Sequence, residues 1–430
     1  MYIVYCYILC RYKKRNIIFA RKTMDVRPGL VLRKGKEGSL QRFHPWVFSG
    51  AIYRLPPDAQ DGDVVEVWSA ERQLLGVGHF QSGASIAVRI LSFSDIAIDA
   101  NFWKNAVRNA NEYRQLTGLP SPQTNAYRLI HGEGDSLPGL IVDIYHSAAV
   151  IQAHSTGMLR ASSDIAEALK TVFGQSIDTI YLRCKDTLPT VKHNSGEDRY
   201  LLGSRPYVDI LENGIAFRVD LVHGQKTGFF LDQRVNRQLL GKYSHGNSVL
   251  NCFCYTGGFS LYSLKSGAKE VTSVDISSKA MEQLQVNLEL NQANQDHNSL
   301  CENVLQYLSQ PDLPEFDIVV IDPPAFAKSV QKRHNAVQAY KRLNQLAMMK
   351  VRNGGLLFTF SCSQVVGPQL FYDTVVAAGI GTGKKIRVMH QLSQGPDHPI
   401  QLYHPEGHYL KGLVLHVEDD NGHPQEVPGQ

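Results

Sequence analysis

The chain has 430 residues, 43% of them hydrophobic and 20% charged, with a formal net charge of +4. This length exceeds one ordinary core, so two or three domains are expected, and the composition is that of a soluble globular protein, not a disordered one. The charge excludes a globally basic nucleic-acid binder. Residues 1–23 carry Arg11, Lys13, Lys14, Arg15, Arg21 and Lys22 and no acid, and without these six the remaining 38 basic and 40 acidic residues give a net of −2. Any RNA surface must therefore be a local patch.

Residues 1–10 are apolar but lack a basic leader and are too few to span a bilayer. Met24 opens a more ordinary start, so residues 1–23 are expected to be an extension, disordered or a mis-assigned start. The seven cysteines (Cys6, Cys10, Cys184, Cys252, Cys254, Cys301 and Cys362) form no paired CxxC framework. They point to reduced thiols in a cytoplasmic protein with no metal centre.

Residues 24–98 read as a small β-rich domain. Runs at 64–68, 74–77 and 86–91 are separated by Gly, Asp and Ser. The preceding Arg42-Phe43-His44-Pro45-Trp46-Val47-Phe48 interleaves aromatics with Arg and His that could stack on bases; the plainer expectation is that Trp46 and Phe48 plug the core. Residues 99–206 read as a central α+β domain. Its first helix covers 102–116, with Phe102, Ala106, Val107, Ala110 and Tyr113 on one face. Strands at 127–130, 140–144, 148–153 and 177–183 follow, with a second helix through Ile165, Ala166, Leu169 and Val172. Gly132-Glu133-Gly134-Asp135 reads as a plain turn.

Residues 207–430 form the third domain. Residues 215–219 and 220–221 read as hairpin strands, followed by Gly224-Gln225-Lys226-Thr227-Gly228-Phe229-Phe230-Leu231-Asp232-Gln233-Arg234 and a helix. Strands and helices then alternate: buried strands at 316–321 and 355–360, with a helix over 337–351 between them. This predicts a parallel, doubly wound sheet, an α/β fold.

Three stretches of this domain carry chemistry. Residues 248–260 run from a β-type segment through Thr256-Gly257-Gly258 into a helix, so backbone N–H groups and a positive helix end face a ligand. A second strand ends on Asp275, where a carboxylate suits a ribose diol. The turn lacks both the GxGxxG of a dehydrogenase and the GK[ST] of a P-loop. A ligand with ribose and adenine but no phosphate, S-adenosylmethionine, fits better. Asp322-Pro323-Pro324 ends a buried strand, and its prolines leave a rigid ledge of carbonyls that can hold a flat base. Cys362, between Ser361 and Ser363, ends the next strand. It is either an inert buried cysteine or a nucleophile for C6 of a cytosine, with Asp322 at N3 of a base taken out of its stack.

Six segments of this third domain together resemble the ribosomal RNA large subunit methyltransferase I family. They are residues 224–234, 250–260 (LNCFCYTGGFS), 274–277 (VDIS), 316–326 (FDIVVIDPPAF), 358–363 (FTFSCS) and 397–412 (DHPIQLYHPEGHYLKG). Residues 34–52 in the first domain add to the likeness, which covers nearly everything after Met24. It implies a PUA-like RNA-binding domain, a central α+β domain and a Rossmann-like class I methyltransferase domain that methylates a cytosine at C5 in 23S ribosomal RNA. Carried over by motif, Cys362 is the nucleophile and Asp322 its partner at the base. Asp275 and Ile276 take the ribose side of S-adenosylmethionine. Asn251, Phe253, Tyr255, Thr256, Gly257 and Phe259 line its pocket, with Asp322 and Pro323 closing it. Gln225, Lys226, Thr227, Phe230, Asp232, Gln233 and Arg234 form a segment over it. Two positions depart from the family. Asn303 stands where many relatives have aspartate for the adenine amino group, and its amide oxygen can still accept. Ala325 stands where relatives often have lysine, with Lys328 nearby as a substitute.

His398, Tyr403, His404, Glu406 and His408 form a late cluster, read as substrate-side or packing residues. Two rival functions stay open: methylation of an exocyclic amino group or other position of a base in ribosomal RNA without a thiol, and a non-catalytic RNA-binding assembly factor. The expected partner is 23S ribosomal RNA or a large-subunit precursor particle. No membrane partner is expected, and exposed β edges in the first domain leave a homodimer open.

Overall fold

A computed structural model describes residues 27–188, 196–327 and 329–420. The extension at 1–23 and Lys328 lie outside the described residues. Among the described residues, no helix is long and apolar enough to cross a membrane.

The first unit is a six-stranded sheet in the order Trp46–Phe48, Ile86–Ser92, Leu74–Phe80, Val64–Trp68, Gly29–Leu32, Ile52–Arg54. Leu30, Leu32, Val47, Val65, Val67, Phe80, Val88 and Ile90 fill its core. Trp46 and Phe48 do not plug that core. Side chains alternate along a strand, so the inward Val47 turns both aromatics to the opposite face, where Phe48 is 47% exposed.

The central unit is a five-stranded sheet in the order Arg199–Leu202, Thr179–Arg183, Ala148–Ala153, Leu140–Tyr145, Ala126–His131. Helices Ala100–Leu116 and Ser162–Phe173 pack on it through Trp103, Val107, Ala110, Ile165 and Leu169. Asp99 starts the first helix by accepting the Phe102 N–H at 3.0 Å, a side-chain N-cap. The buried stripe of this helix is Trp103, Val107, Ala110 and Arg114, rotated from the expected one. Arg114 has an ionic partner in Asp135, which lets a charged side chain take a core position.

The third unit opens with a hairpin, Tyr207–Glu212 against Ile215–Asp220. Its turn is Asn213-Gly214, both at positive φ, the pair that a two-residue hairpin turn requires. The expected pairing of 215–219 with 220–221 is thereby corrected: the partner strand lies upstream.

The large sheet comprises β1 (Ser248–Cys252), β2 (Glu270–Asp275), β3 (His297–Cys301), β4 (Phe316–Ile321), β5 (Val351–Ser361), β6 (Lys385–Ser393) and β7 (Lys411–Glu418), ordered β3-β2-β1-β4-β5-β7-β6. The first five strands are parallel. The sheet is not parallel throughout, however, because β7 inserts antiparallel between β5 and β6. Alternation along β1 and β4 divides their side chains between two cores. Leu250, Cys252, Val319 and Ile321 meet helices Arg333–Met348 and Pro368–Ile380. Val249, Ile318 and Val320 pack with Leu240 and Phe259, from helices Arg234–Ser244 and Gly258–Lys265. In register, Cys252 lies beside Val274 and Ile321, and Ile321 beside Thr359. The loops after β1, β2, β4 and β5 therefore leave one edge of the sheet together.

Candidate methyl-donor and base site

The turn after β1 is strained. Phe253 and Tyr255 both have positive φ, at 59° and 49°, a conformation costly for bulky residues and often kept at binding sites. Gly257, at φ 83°, packs so closely that a Cβ there would lie 2.1 Å from Leu284 Cδ1. Asp275 holds the turn in place: its carboxylate accepts the Tyr255 N–H at 3.0 Å and the Ser277 N–H at 2.9 Å. Beneath the turn, Asn251 donates to Ser260 Oγ at 2.8 Å. Ser260 and Ser273 meet at 2.6 Å, and Ser273 meets His297 at 2.8 Å. This chain ties β1, β2, β3 and the following helix together.

The 224–234 segment lies over the turn. The Gln225 N–H donates to Tyr255 Oη at 2.9 Å, and that hydroxyl donates to the Gly228 carbonyl at 3.2 Å. Lys226 Nζ sits 4.3 Å above the Phe230 ring and 3.2 Å from Asp232. Thr227 Oγ1 donates to Asp143 at 2.6 Å and meets Tyr145 Oη at 2.8 Å. Arg234 pairs with Asp397 at 2.7 Å and donates to the Ala126 carbonyl at 3.1 Å.

At the other end, Gln233 Nε2 donates to Asp322 at 3.0 Å, and Cys362 Sγ is 4.0 Å from the Pro323 carbonyl. Burial and the nearby Asp232 push the Asp322 carboxyl up to about 7. Burial also pushes the Cys362 thiol up, with Lys226 pulling the other way. Burial acts to raise Asp232 as well, but Lys226, His398 and Tyr409 hold it below the usual carboxylate range. The two acids thus diverge: one stays ionised and the other carries its proton to near neutrality, the pattern of a site with divided acid and base roles. Lys411, which donates to the Ser363 carbonyl at 2.6 Å, is lowered to about 8 by burial.

Gln225, Lys226, Phe230, Asp232, Gln233, Phe253, Tyr255, Thr256, Phe259, Asp275, Ile276, Asp322, Pro323 and Cys362 line one cavity of about 260 Å³. Thr227, Arg234, Asn251, Gly257 and Asn303 lie outside its wall. The first two are anchored to the central unit, and Asn251 and Gly257 shape the turn from behind. Asn303 caps helix Val304–Leu308: its Oδ1 accepts from the Leu305 and Gln306 N–H groups, so the oxygen expected at an adenine amino group is already engaged. Phe229, Arg237, Cys254, Gly258, Ser277, Pro324 and Leu410 complete the wall. Ser277 and Pro324 adjoin motif residues and were within reach of the sequence. Leu410 lies in the motif segment 397–412 but was not singled out, whereas Arg237, fixed by Glu212 of the hairpin at 2.8 Å, lies outside every motif and had no local signal.

The wall fits S-adenosylmethionine. Asp232 Oδ1 and Thr256 Oγ1 are buried acceptors without partners among the described residues, suited to an ammonium. Lys226 offers a cation to a carboxylate, and Asp275 stands ready for a ribose diol.

In the late cluster, His404 is buried against Trp46 at 4.4 Å, and Trp46 Nε1 donates to Glu133 at 2.8 Å. This is the joint between the first unit and the other two. His44 joins His404 and Glu406, with ligand atoms within 4.8 Å of one another. However, His44 Nδ1 accepts the Trp46 N–H at 3.3 Å, which leaves the neutral ring's proton on Nε2, facing Glu406.

This fold and cavity define an S-adenosylmethionine-dependent methyltransferase. A family model described as S-adenosylmethionine-dependent methyltransferase matches residues 195–400, and a PUA-like domain model matches residues 30–93. A ribosomal RNA large subunit methyltransferase I from Aeromonas hydrophila is 38% identical over 396 residues, covering 90% of this chain and 98% of the relative. The protein of the same name from Shewanella frigidimarina is 38% identical over 397 residues, with the same coverage. The chain belongs to the ribosomal RNA large subunit methyltransferase I family. A solved Streptococcus mutans protein described as a SAM-dependent methyltransferase shares the fold at TM-score 0.78 and 23% identity, over 90% of this chain and all of that one. A further methyltransferase structure, solved as a complex with SAH, gives the same score, identity and coverage.

Proposed function

We propose that the chain methylates C5 of a cytosine in large-subunit ribosomal RNA, with Cys362 as the nucleophile and Asp322 at N3 of the base. The names of the relatives support the RNA class. The observation that carries the chemistry is a thiol and a carboxyl of raised pKa on adjacent strand ends, on the wall of the donor cavity.

S-adenosylmethionine, when bound, supplies an electrophilic methyl group. The chain's own residues prepare the base. The Cys362 thiolate adds to C6, forming a C–S bond, while protonated Asp322 donates to N3 and stabilises the negative charge that develops there. C5 becomes nucleophilic and accepts the methyl group. Transfer of the C5 proton to a water molecule then re-forms the ring double bond, breaks the C–S bond and returns the thiolate. The Pro323-Pro324 ledge and the rigid turn keep the base plane and the donor in fixed relation.

The test is product identity. Incubation with labelled S-adenosylmethionine and large-subunit ribosomal RNA from cells lacking the gene, followed by digestion to nucleosides, is expected to yield labelled 5-methylcytidine. A label on an exocyclic amino group would contradict the thiol chemistry. Donor binding without transfer would favour an assembly factor.

A further inference from the structure

A second cavity, of about 690 Å³, opens where the three units meet, and Lys226 lines both it and the donor cavity. Its walls come from the first unit (Trp46, Arg89), the central unit (Arg128, Arg183) and the methyltransferase unit (Tyr409). The cations are not equivalent. Arg128 is paired with Asp143 through two bonds, at 2.8 and 2.9 Å, and Arg183 donates to the Gly224 carbonyl at 2.6 Å. Arg89 differs: its Nε and Nη1 are buried with no hydrogen-bond partner among the described residues. Glu133 is the nearby acid and supports the charge of Arg89 through space, but it makes no hydrogen bond to it, and its Oε1 accepts the Trp46 indole N–H.

Buried polar groups are almost always bonded, so buried guanidinium N–H groups left without an acceptor are disfavoured unless a ligand supplies one. Arg89 is nevertheless held firmly. It lies across Gly139, where a Cβ would come within 3.3 Å of its Cδ and 3.4 Å of its Nε. The neighbouring His79 and His154 are both lowered to about 4, chiefly by burial, so they add no charge at neutral pH. A fixed guanidinium with free donors, in a cleft that shares a wall with the reacting cavity, matches a phosphodiester.

We infer that this cleft receives the RNA strand and that Arg89 binds a phosphate beside the target nucleotide. The inference rests on the proposed function. The first unit then contributes directly to the substrate site: Trp46 and Tyr409 offer faces to flanking bases, and Lys226 marks the passage to Cys362.

The test uses the full chain, with Arg89→Ala and the better-packing Arg89→Gln, against in vitro-transcribed large-subunit ribosomal RNA. Each variant is expected to bind RNA about tenfold more weakly. The slope of log K against log salt should become shallower by about 0.7–0.9, the share of one phosphate contact. Arg89→Lys is expected to keep the wild-type slope. S-adenosylmethionine affinity by calorimetry should not change, and the melting temperature should not fall, since a structural arginine would lower it and a waiting ligand group would not. Wild-type salt slopes in Arg89→Ala and Arg89→Gln, with RNA still methylated, would overturn the inference alone. Absence of methylation of any RNA by the wild type would overturn the proposed function and the inference with it.

Discussion

The proposed reaction sets Cys362 and Asp322 opposite protonation needs. The thiol, raised by burial, must lose its proton, and the carboxyl, raised to about 7, must keep its own. Below pH 7 the carboxyl stays protonated while the thiolate fraction grows tenfold per unit, so the rate should rise with pH. Above about 7 the falling fraction of protonated Asp322 cancels that gain and the rate should level off. Single-turnover rates against pH check this, and Asp322→Asn should remove the break near 7 and let the rise continue. A break that survives in Asp322→Asn would assign it to another group. The same carboxyl makes a stability prediction. Between the unfolded value near 4 and about 7, only the native state holds the proton, so the contribution of Asp322 to stability falls as pH rises. Asp322→Asn should therefore gain stability over wild type at pH 8 and not at pH 4, measured by urea unfolding. Cys362→Ala should lower transfer by about three orders of magnitude, within the range seen for lost catalytic groups, with donor affinity kept. These residues were legible in the sequence because ligands bind at the carboxyl ends of parallel strands and Asp275, Asp322 and Cys362 each end or follow a buried run. The remaining wall was less legible. Contiguity in a motif does not say which side chain turns to the ligand: Thr227 and Arg234, beside wall residues in sequence, bond instead to Asp143 and to the Ala126 carbonyl of the central unit.

The 224–234 segment is held from two sides, by Tyr255 above the donor cavity and by Asp143 and Tyr145 beneath. Thr227→Val keeps the shape and removes both hydroxyl bonds, leaving Asp143 short of a donor. About 1–3 kcal/mol of segment stability should be lost, seen as weaker S-adenosylmethionine binding in calorimetry with little change in the rate at saturating donor. Unchanged affinity would mean the segment does not close on the donor. Sequence periodicity located most elements, yet it placed the buried stripe of the first central helix off by a residue, sharing Val107 and Ala110 with the observed one but missing Trp103 and Arg114, and it missed β6 and β7. Arg114 counts as polar in any pattern but is buried by its ion pair with Asp135. β6 is an exposed edge strand with little apolar signal, and β7, whose insertion makes the sheet mixed, was given no assignment.

The central and methyltransferase units are joined at Asp397. Its carboxylate accepts the Arg128 N–H at 3.1 Å and pairs with Arg234 at 2.7 Å, and its carbonyl accepts from Arg114 at 2.9 Å. Burial alone would raise this acid, but His398 and Arg234 hold it well below the usual range. Its contribution to stability is therefore present above the unfolded value near 4 and is lost as pH falls. Asp397→Asn should cost about 3–5 kcal/mol at pH 7 and flatten the acid limb of the stability curve, measured by urea unfolding from pH 3 to 8. An acid limb identical to wild type would assign the joint to other contacts. A joint of this kind fixes the cleft, the 224–234 segment and the sheet edge relative to one another, as the proposed reaction of a base with the Cys362 thiol requires. The most direct test of that chemistry uses ribosomal RNA containing 5-fluorocytidine, incubated with the protein and S-adenosylmethionine and analysed by mass spectrometry. A donor-dependent covalent adduct at Cys362 is predicted, because fluorine blocks loss of the C5 substituent. Continued methylation of unmodified RNA with no adduct on the fluorinated RNA would contradict a cysteine-mediated reaction.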